Sequence, residues 1–254
     1  MPKNKTKVMT LTSLMIAAAI VLRFFGVMIP FAGAGGMRIN VSGFFSKLPA
    51  VLFGPCIGTI SSALIDIIGC FVKPEGSYIP LLTVTAAIGG FIVGFMWKYF
   101  KNASYNSFKK VFLIISSVVL IFAIFNFVNV IFLKNSYYSK FLYSLSDKKR
   151  SLFVFGSLSM LVLCITVYVC DALIARKNKE MSEKFIKLLI VLLCANLVVT
   201  TLNTFVLRIF IPSLSGIGFM AFYIPRVIEE IIMTIVQCYG ISLLLAAIEK
   251  AKII

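Results

Sequence analysis

The chain contains no histidine, a single tryptophan, and only 9 Asp plus Glu among 254 residues. Without histidine, most zinc and haem ligation and His-based acid–base chemistry are excluded. With 13% charged against 60% hydrophobic residues and a mean hydropathy of +1.03, there is too little charge to cover a soluble globule. A soluble enzyme, a disordered tail and a nucleic-acid-binding domain are set aside on that ground. The six cysteines, Cys56, Cys70, Cys164, Cys170, Cys194 and Cys238, all lie in apolar runs and form no CxxC pair. They read as small buried residues, not as disulfides or metal ligands.

What the chain does have is long, continuous apolar runs. A β-barrel would show short alternating segments, so the class is an all-α, polytopic transmembrane helical bundle. A span needs about 20 apolar residues to cross about 30 Å of hydrocarbon. Eight segments qualify: 10–29, 39–53, 55–72, 79–100, 111–133, 151–175, 185–210 and 224–248. Gly54-Pro55 separates the second from the third, because proline suits a first helical position better than an interior one. The basic, then apolar N-terminus imitates a signal peptide, but its apolar run continues through Phe24, Phe25 and Ile29. It is expected to be an uncleaved first span.

The net charge is +16, from 25 Lys plus Arg against the 9 acids. In a membrane protein such an excess sets topology and meets anionic lipid headgroups; no nucleic acid is implied. A cytoplasmic N-terminus puts 14 of the 25 basic residues inside and makes both termini cytoplasmic. The loop 134–150, with Lys134, Lys140, Lys148, Lys149 and Arg150, breaks the positive-inside rule. An inserted helical hairpin over 101–175, within one integral membrane domain 1–254, accounts for it, leaving six core spans.

Embedded charge is costly and marks candidate functional residues. Arg23 is expected about 9 Å below the outer end of its span. Asp66 lies at similar depth, and Arg226, Glu229 and Glu230 occupy the outer turns of the last span. Arg208 and Arg38 suit snorkelling to the interface, whereas Asp66 is too short for it. For Glu229 and Glu230, an intrahelical ion pair with Arg226 competes evenly with a ligand role. Thr200, Asn203 and Thr204 share a helix face nearby. Tyr78 and Tyr223 fit an aromatic belt, with ligand contact as the alternative. The whole suggests a polar cavity opening outward.

Three stripes of small residues permit close helix approach. Gly58, Ser62, Asp66 and Gly69, and likewise Ala86, Gly90 and Gly94, each share one helix face and suit internal packing. Ser13 and Ala17, at the far end of the first span, suit a partner helix. No phosphate loop is present, since Gly54-Pro-Cys-Ile-Gly58-Thr59 lacks the lysine. Pumping therefore needs another subunit or an ion gradient. Glu229-Glu230 is similar to the glutamate pair of CAAX-type membrane proteases, but those need histidines. No catalytic site, cofactor or metal site is expected.

The stretch Leu48 to Phe95 resembles the folate-family substrate-binding (S) components of energy-coupling factor (ECF) vitamin transporters. It carries Phe53-Gly54-Pro55, Asp66 to Gly69, a Pro/Gly/Tyr loop at 74–78, and a helix bearing Thr83 to Gly94. Arg38, Leu202-Asn203-Thr204 and Arg226 also resemble family positions. The resemblance implies a high-affinity vitamin-binding subunit, with folate as ligand. It implies docking through Ser13 and Ala17 on a transmembrane coupling subunit that carries two ATPase subunits. Substrate contacts are then expected from Arg23, Arg38, Asp66, Tyr78, Asn203, Arg226 and Glu230. Asp66 or Glu230 would face the pterin edge, and an arginine the ligand carboxylates. Glu229-Glu230 departs from the family pattern, in which a basic residue tends to follow the arginine. The other readings are a different vitamin-like ligand, a stand-alone ion-driven carrier, or a membrane enzyme.

Overall fold

The computed structural model describes residues 5–31, 34–39, 42–74, 76–131, 147–216 and 218–251. The elements are α1 (Lys5–Phe24), β1 (Val27–Phe31), β2 (Ala34–Ile39), α2 (Gly43–Phe53), α3 (Pro55–Val72), α4 (Pro80–Phe100), α5 (Tyr105–Ile131), α6 (Asp147–Lys177), α7 (Lys179–Phe210), α8 (Pro212–Ser215) and α9 (Phe219–Lys250). Among the described residues six helices are long and apolar enough to cross a membrane: α1, α3, α4, α5, α7 and α9. The protein is thus a multi-pass helical membrane protein, as the apolar runs imply.

Two boundaries differ from the hydropathy reading. The first span ends at Phe24, not near 29, and Ile29 lies in an antiparallel β-hairpin that pairs Val27 with Ile39 and Met28 with Arg38. Gly26 ends the helix, Pro30 cannot continue one, and the run Val27 to Ile29 is too short for periodicity to tell strand from helix. Downstream of it, α2 has 11 residues, about 16 Å of helix, which is half a bilayer core. The expected second span, 39–53, is therefore a strand end followed by a short helix. Pro55 does start α3, after Gly54 at φ 94°, a conformation only glycine adopts without strain.

The chain forms two compact units. One comprises Met1–Ala103 with Glu183–Ile254, the other Ser104–Ser182. Most of the loop 134–150 lies outside the described residues, as does the end of the expected span 111–133.

In the first unit the small-residue stripes are the α3–α4 seam. A Cβ on Gly90 would lie 2.2 Å from the Gly58 carbonyl oxygen, and one on Gly94 would meet Pro55 at 2.6 Å. The backbones therefore touch with nothing between them. At the end of the unit where α4 finishes, Lys187 Nζ donates to the Lys101 carbonyl at 3.0 Å, and Lys184 pairs with Glu249. A lysine at a helix C-terminus satisfies an orphan carbonyl and complements the dipole. In the second unit, buried Asp171 accepts from Ser182 and from Tyr105 and pairs with Lys109 at 3.9 Å. That one carboxylate ties α5, α6 and the start of α7.

Candidate functional site: a polar file across five helices

Arg23 stands one residue before the end of α1 and reaches across to α3. Its guanidinium pairs with Asp66 at 3.7 Å and donates to the Ile65 carbonyl at 3.4 Å and to Cys70 Sγ at 3.8 Å. It lies over Gly69, where an added Cβ would sit 2.3 Å from Arg23 Nη1. Glycine at that position is the room the arginine occupies. The side chains of Arg23 and Asp66 are 11% and 22% exposed, so the pair is largely withdrawn from water. Lys73 fastens the same corner, donating to the Phe24 and Gly26 carbonyls at 3.2 and 2.9 Å. It caps α1 from the end of α3.

The other oxygen of Asp66 accepts from Thr83 at 2.7 Å. That spends the threonine hydrogen, so at the 2.9 Å contact with Tyr78 the tyrosine donates. Tyr78 is half exposed and stacks on Phe71. The relay Tyr78–Thr83–Asp66–Arg23 thus carries the loop before α4 into the α1–α3 corner.

Half a turn along α4, Thr85 reaches the opposite way and hydrogen-bonds Asn203 of α7. On the same face of α7, Thr204 donates to the Thr200 carbonyl at 2.6 Å, and Thr200 donates to Glu230 of α9 at 3.4 Å. Glu230 attracts both Lys47 of α2 and Arg226. Lys47 Nζ lies beside Gly89, 3.5 Å from where that residue's Cβ would be. Arg226 sits 5.1 Å over the Phe222 ring, is drawn by Glu229 and Glu230, and keeps Nη1 buried without a hydrogen-bond partner. Beside it, Tyr223 donates to Thr201 at 2.9 Å, the threonine's own hydrogen going to the Leu197 carbonyl.

Three bonded groups, Arg23–Asp66–Thr83, Thr85–Asn203 and Thr200–Glu230, thus follow one another along α1, α3, α4, α7 and α9 as a polar file, with Arg226 and Lys47 of α2 beside Glu230. It brings together five of the seven expected binding residues, and Tyr78 adjoins it through Thr83. Arg38 lies in β2, which packs against α9. Ser13 and Ala17 are exposed on α1, about 15 and 9 Å along the helix from Arg23 respectively. Lys73, Thr83 and Thr85 were not singled out as binding candidates. Their partners lie on other elements, and no single-helix pattern announces them. All six cysteines are free.

The file can hold a polar ligand without stranding charge. Arg23, Lys47 and Arg226 face Asp66, Glu229 and Glu230, and each carboxylate or guanidinium can exchange its neighbour for a ligand group by a charge-assisted hydrogen bond.

Comparison with known proteins identifies the family. Residues 3–169 match the family described as ECF-type riboflavin transporter, S component. The folate transporter FolT of Clostridium novyi (strain NT) is 30% identical over 121 residues, covering 46% of this chain and 64% of that protein. The chain thus aligns with just under two thirds of that relative's length. No solved structure matches. With the family match spanning most of the chain, the protein belongs to the S-component family of ECF-type transporters.

Proposed function

We propose that the chain is the vitamin-binding subunit of an ECF-type importer and that its ligand is a folate. The observation that carries this reading is the polar file, in which ionisable side chains from separate helices meet at one end of the bundle. Charge is too costly within a membrane to collect there without a use. The relative named as a folate transporter supports the ligand class.

A folate presents a pterin with a donor edge and a tail with two carboxylates. Asp66 or Glu230 suits the donor edge. Arg226, with a spare buried Nη1, suits a carboxylate. Arg23, Arg38, Tyr78 and Asn203 complete the set. No phosphate loop is present, so ATP hydrolysis belongs to two separate ATPase subunits on a transmembrane coupling subunit. Exposed Ser13 and Ala17 are the docking notch. The termini are cytoplasmic, and 101–175 is an inserted pair of helices on the vitamin-binding core.

Native mass spectrometry of the purified protein tests the ligand. A bound folate is the expected result. Bound riboflavin keeps the S-component reading and removes folate. Absence of any vitamin, together with uptake in cells lacking the ATPase subunits, overturns the importer reading in favour of a stand-alone carrier.

A further inference from the structure

A shallow apolar groove runs along α7 on a different side from Thr200 and Asn203. Leu197, Val198, Thr201 and Leu202 line it, and it holds about 270 Å³. Spacing fixes its continuation toward the end of the helix, since Phe205, Arg208 and Ile209 follow at the steps of three and four that keep one helix face. Val198, Phe205 and Ile209 are exposed. Residues 197–210 of α7 and 219–228 of α9 include no Asp or Glu, so Arg208 gives this face a positive end.

Aromatic rings of α9 and α7 stand along one side. Tyr223 donates to Thr201 at 2.9 Å and stacks on Phe219, which stacks in turn on Phe205 with centroids 4.8 Å apart. The Arg208 guanidinium lies 5.8 Å over the Phe219 ring. The ring holds the cation beside the groove, and a guanidinium has five N–H donors, more than that contact uses. Arg208 stands two residues before the end of α7, and Leu197 lies about 16 Å from it along the helix. That is about half of a hydrocarbon core, the depth of one leaflet. Snorkelling explains the height of the arginine but not a groove of one leaflet's depth beneath it.

We propose that this face binds one anionic phospholipid, with the headgroup phosphate on Arg208 and an acyl chain lying in the groove down to Leu197. The surroundings select the occupant. Helix α7 is long and apolar enough to cross a membrane, so an open apolar face on it meets acyl chains. A phosphate accepts charge-assisted hydrogen bonds from a guanidinium, and a zwitterionic headgroup opposes that contact with a cation of its own. The lipid site is separate from the polar file and does not depend on which vitamin the protein carries.

The test is native mass spectrometry of the purified full chain released from nanodiscs of equimolar dioleoyl phosphatidylglycerol and dioleoyl phosphatidylcholine. Wild type is expected to keep one phosphatidylglycerol, favoured about tenfold over phosphatidylcholine, the ratio that one charge-assisted hydrogen bond supplies. Arg208→Gln should bring that ratio near unity. Val198→Trp, at an exposed position, fills the groove and should lower retention of both lipids about tenfold. Melting profiles report folding separately. A wild-type ratio near unity means boundary lipid only and overturns the proposal. So does an unchanged ratio in folded Arg208→Gln, which places the headgroup elsewhere. Full retention in folded Val198→Trp leaves the acyl chain outside the groove and overturns it as well. Should Arg208→Gln fail to fold, the wild-type ratio and Val198→Trp decide by the same readings.

Discussion

Replacing Asp66 by asparagine keeps the shape of the side chain and removes its charge. The wild-type carboxylate is held on both oxygens, by Arg23 at 3.7 Å and by Thr83 at 2.7 Å. Asparagine can still accept from Thr83 through Oδ1. It then turns an NH2 group toward the guanidinium, so Arg23 loses its counter-charge and faces another donor. A charge-assisted hydrogen bond is worth about 1.5–3 kcal/mol. The 22% exposure of Asp66 lets water screen part of this, which lowers the expected loss to about 1–2 kcal/mol. Ligand affinity should therefore fall about five- to thirtyfold, measured by calorimetric titration with folic acid. Membrane insertion and the apo melting profile should change little. Thr83→Val, alone and combined with Asp66→Asn, separates the two hands on the carboxylate, because contacting residues couple by about 0.5–3 kcal/mol. If Asp66→Asn titrates within about twofold of wild type, Asp66 is a packing residue and the α1–α3 corner is not part of the binding site.

Gly69→Ala puts a methyl group where the Arg23 guanidinium lies and should reproduce the binding loss of Asp66→Asn without touching a charge; wild-type affinity would refute the placement of Arg23. Ser13→Leu or Ala17→Leu fills the exposed notch on α1 and should abolish uptake with the coupling and ATPase subunits while sparing ligand binding. Normal uptake by either variant would remove the docking assignment. Gly90→Ala drives a Cβ to 2.2 Å from the Gly58 carbonyl and should cost about 1–3 kcal/mol, seen as a lower melting temperature in detergent. Cysteine placed at residue 3 should label only from the cytoplasm, and cysteine in the 134–150 loop only from outside.

Six of the eight expected spans stand among the described residues as helices long and apolar enough to cross a membrane, because hydrophobic length is a property of one segment at a time; 39–53 and 151–175 do not. Counting along each span puts Arg23 and Asp66 near the ends of their helices, and the structure pairs them at 3.7 Å. The glycines of α3 and α4 were legible as packing for the same reason: Gly58, Gly90 and Gly94 keep helical spacing on their own helices. The hairpin was not legible. Val27 to Ile29 is apolar under any window, and its strand state depends on pairing with residues near Ile39, a contact that no local pattern contains. The helix α2 is short because β2 holds the chain up to Ile39 and Gly54-Pro55 ends the helix at Phe53.

The connections of the site were hidden by a different cause, the chemistry of hydroxyls. Thr83 and Thr85 stand two residues apart on α4 and reach opposite ways, one to Asp66 and one to Asn203. Threonine is common in apolar helices, where it often bonds only its own backbone, as Thr59 and Thr204 do here. Nothing in composition separates those from the two that bridge helices. Lys73 shows the same limit for charge. Read alone it is an interfacial lysine, yet it caps α1 through two carbonyls almost fifty residues away in the chain. Residues whose role is to join two helices are thus the least visible in a sequence. In this protein Thr83 ties α4 to Asp66 of α3, Thr85 ties it to Asn203 of α7, and Thr200 ties α7 to Glu230 of α9.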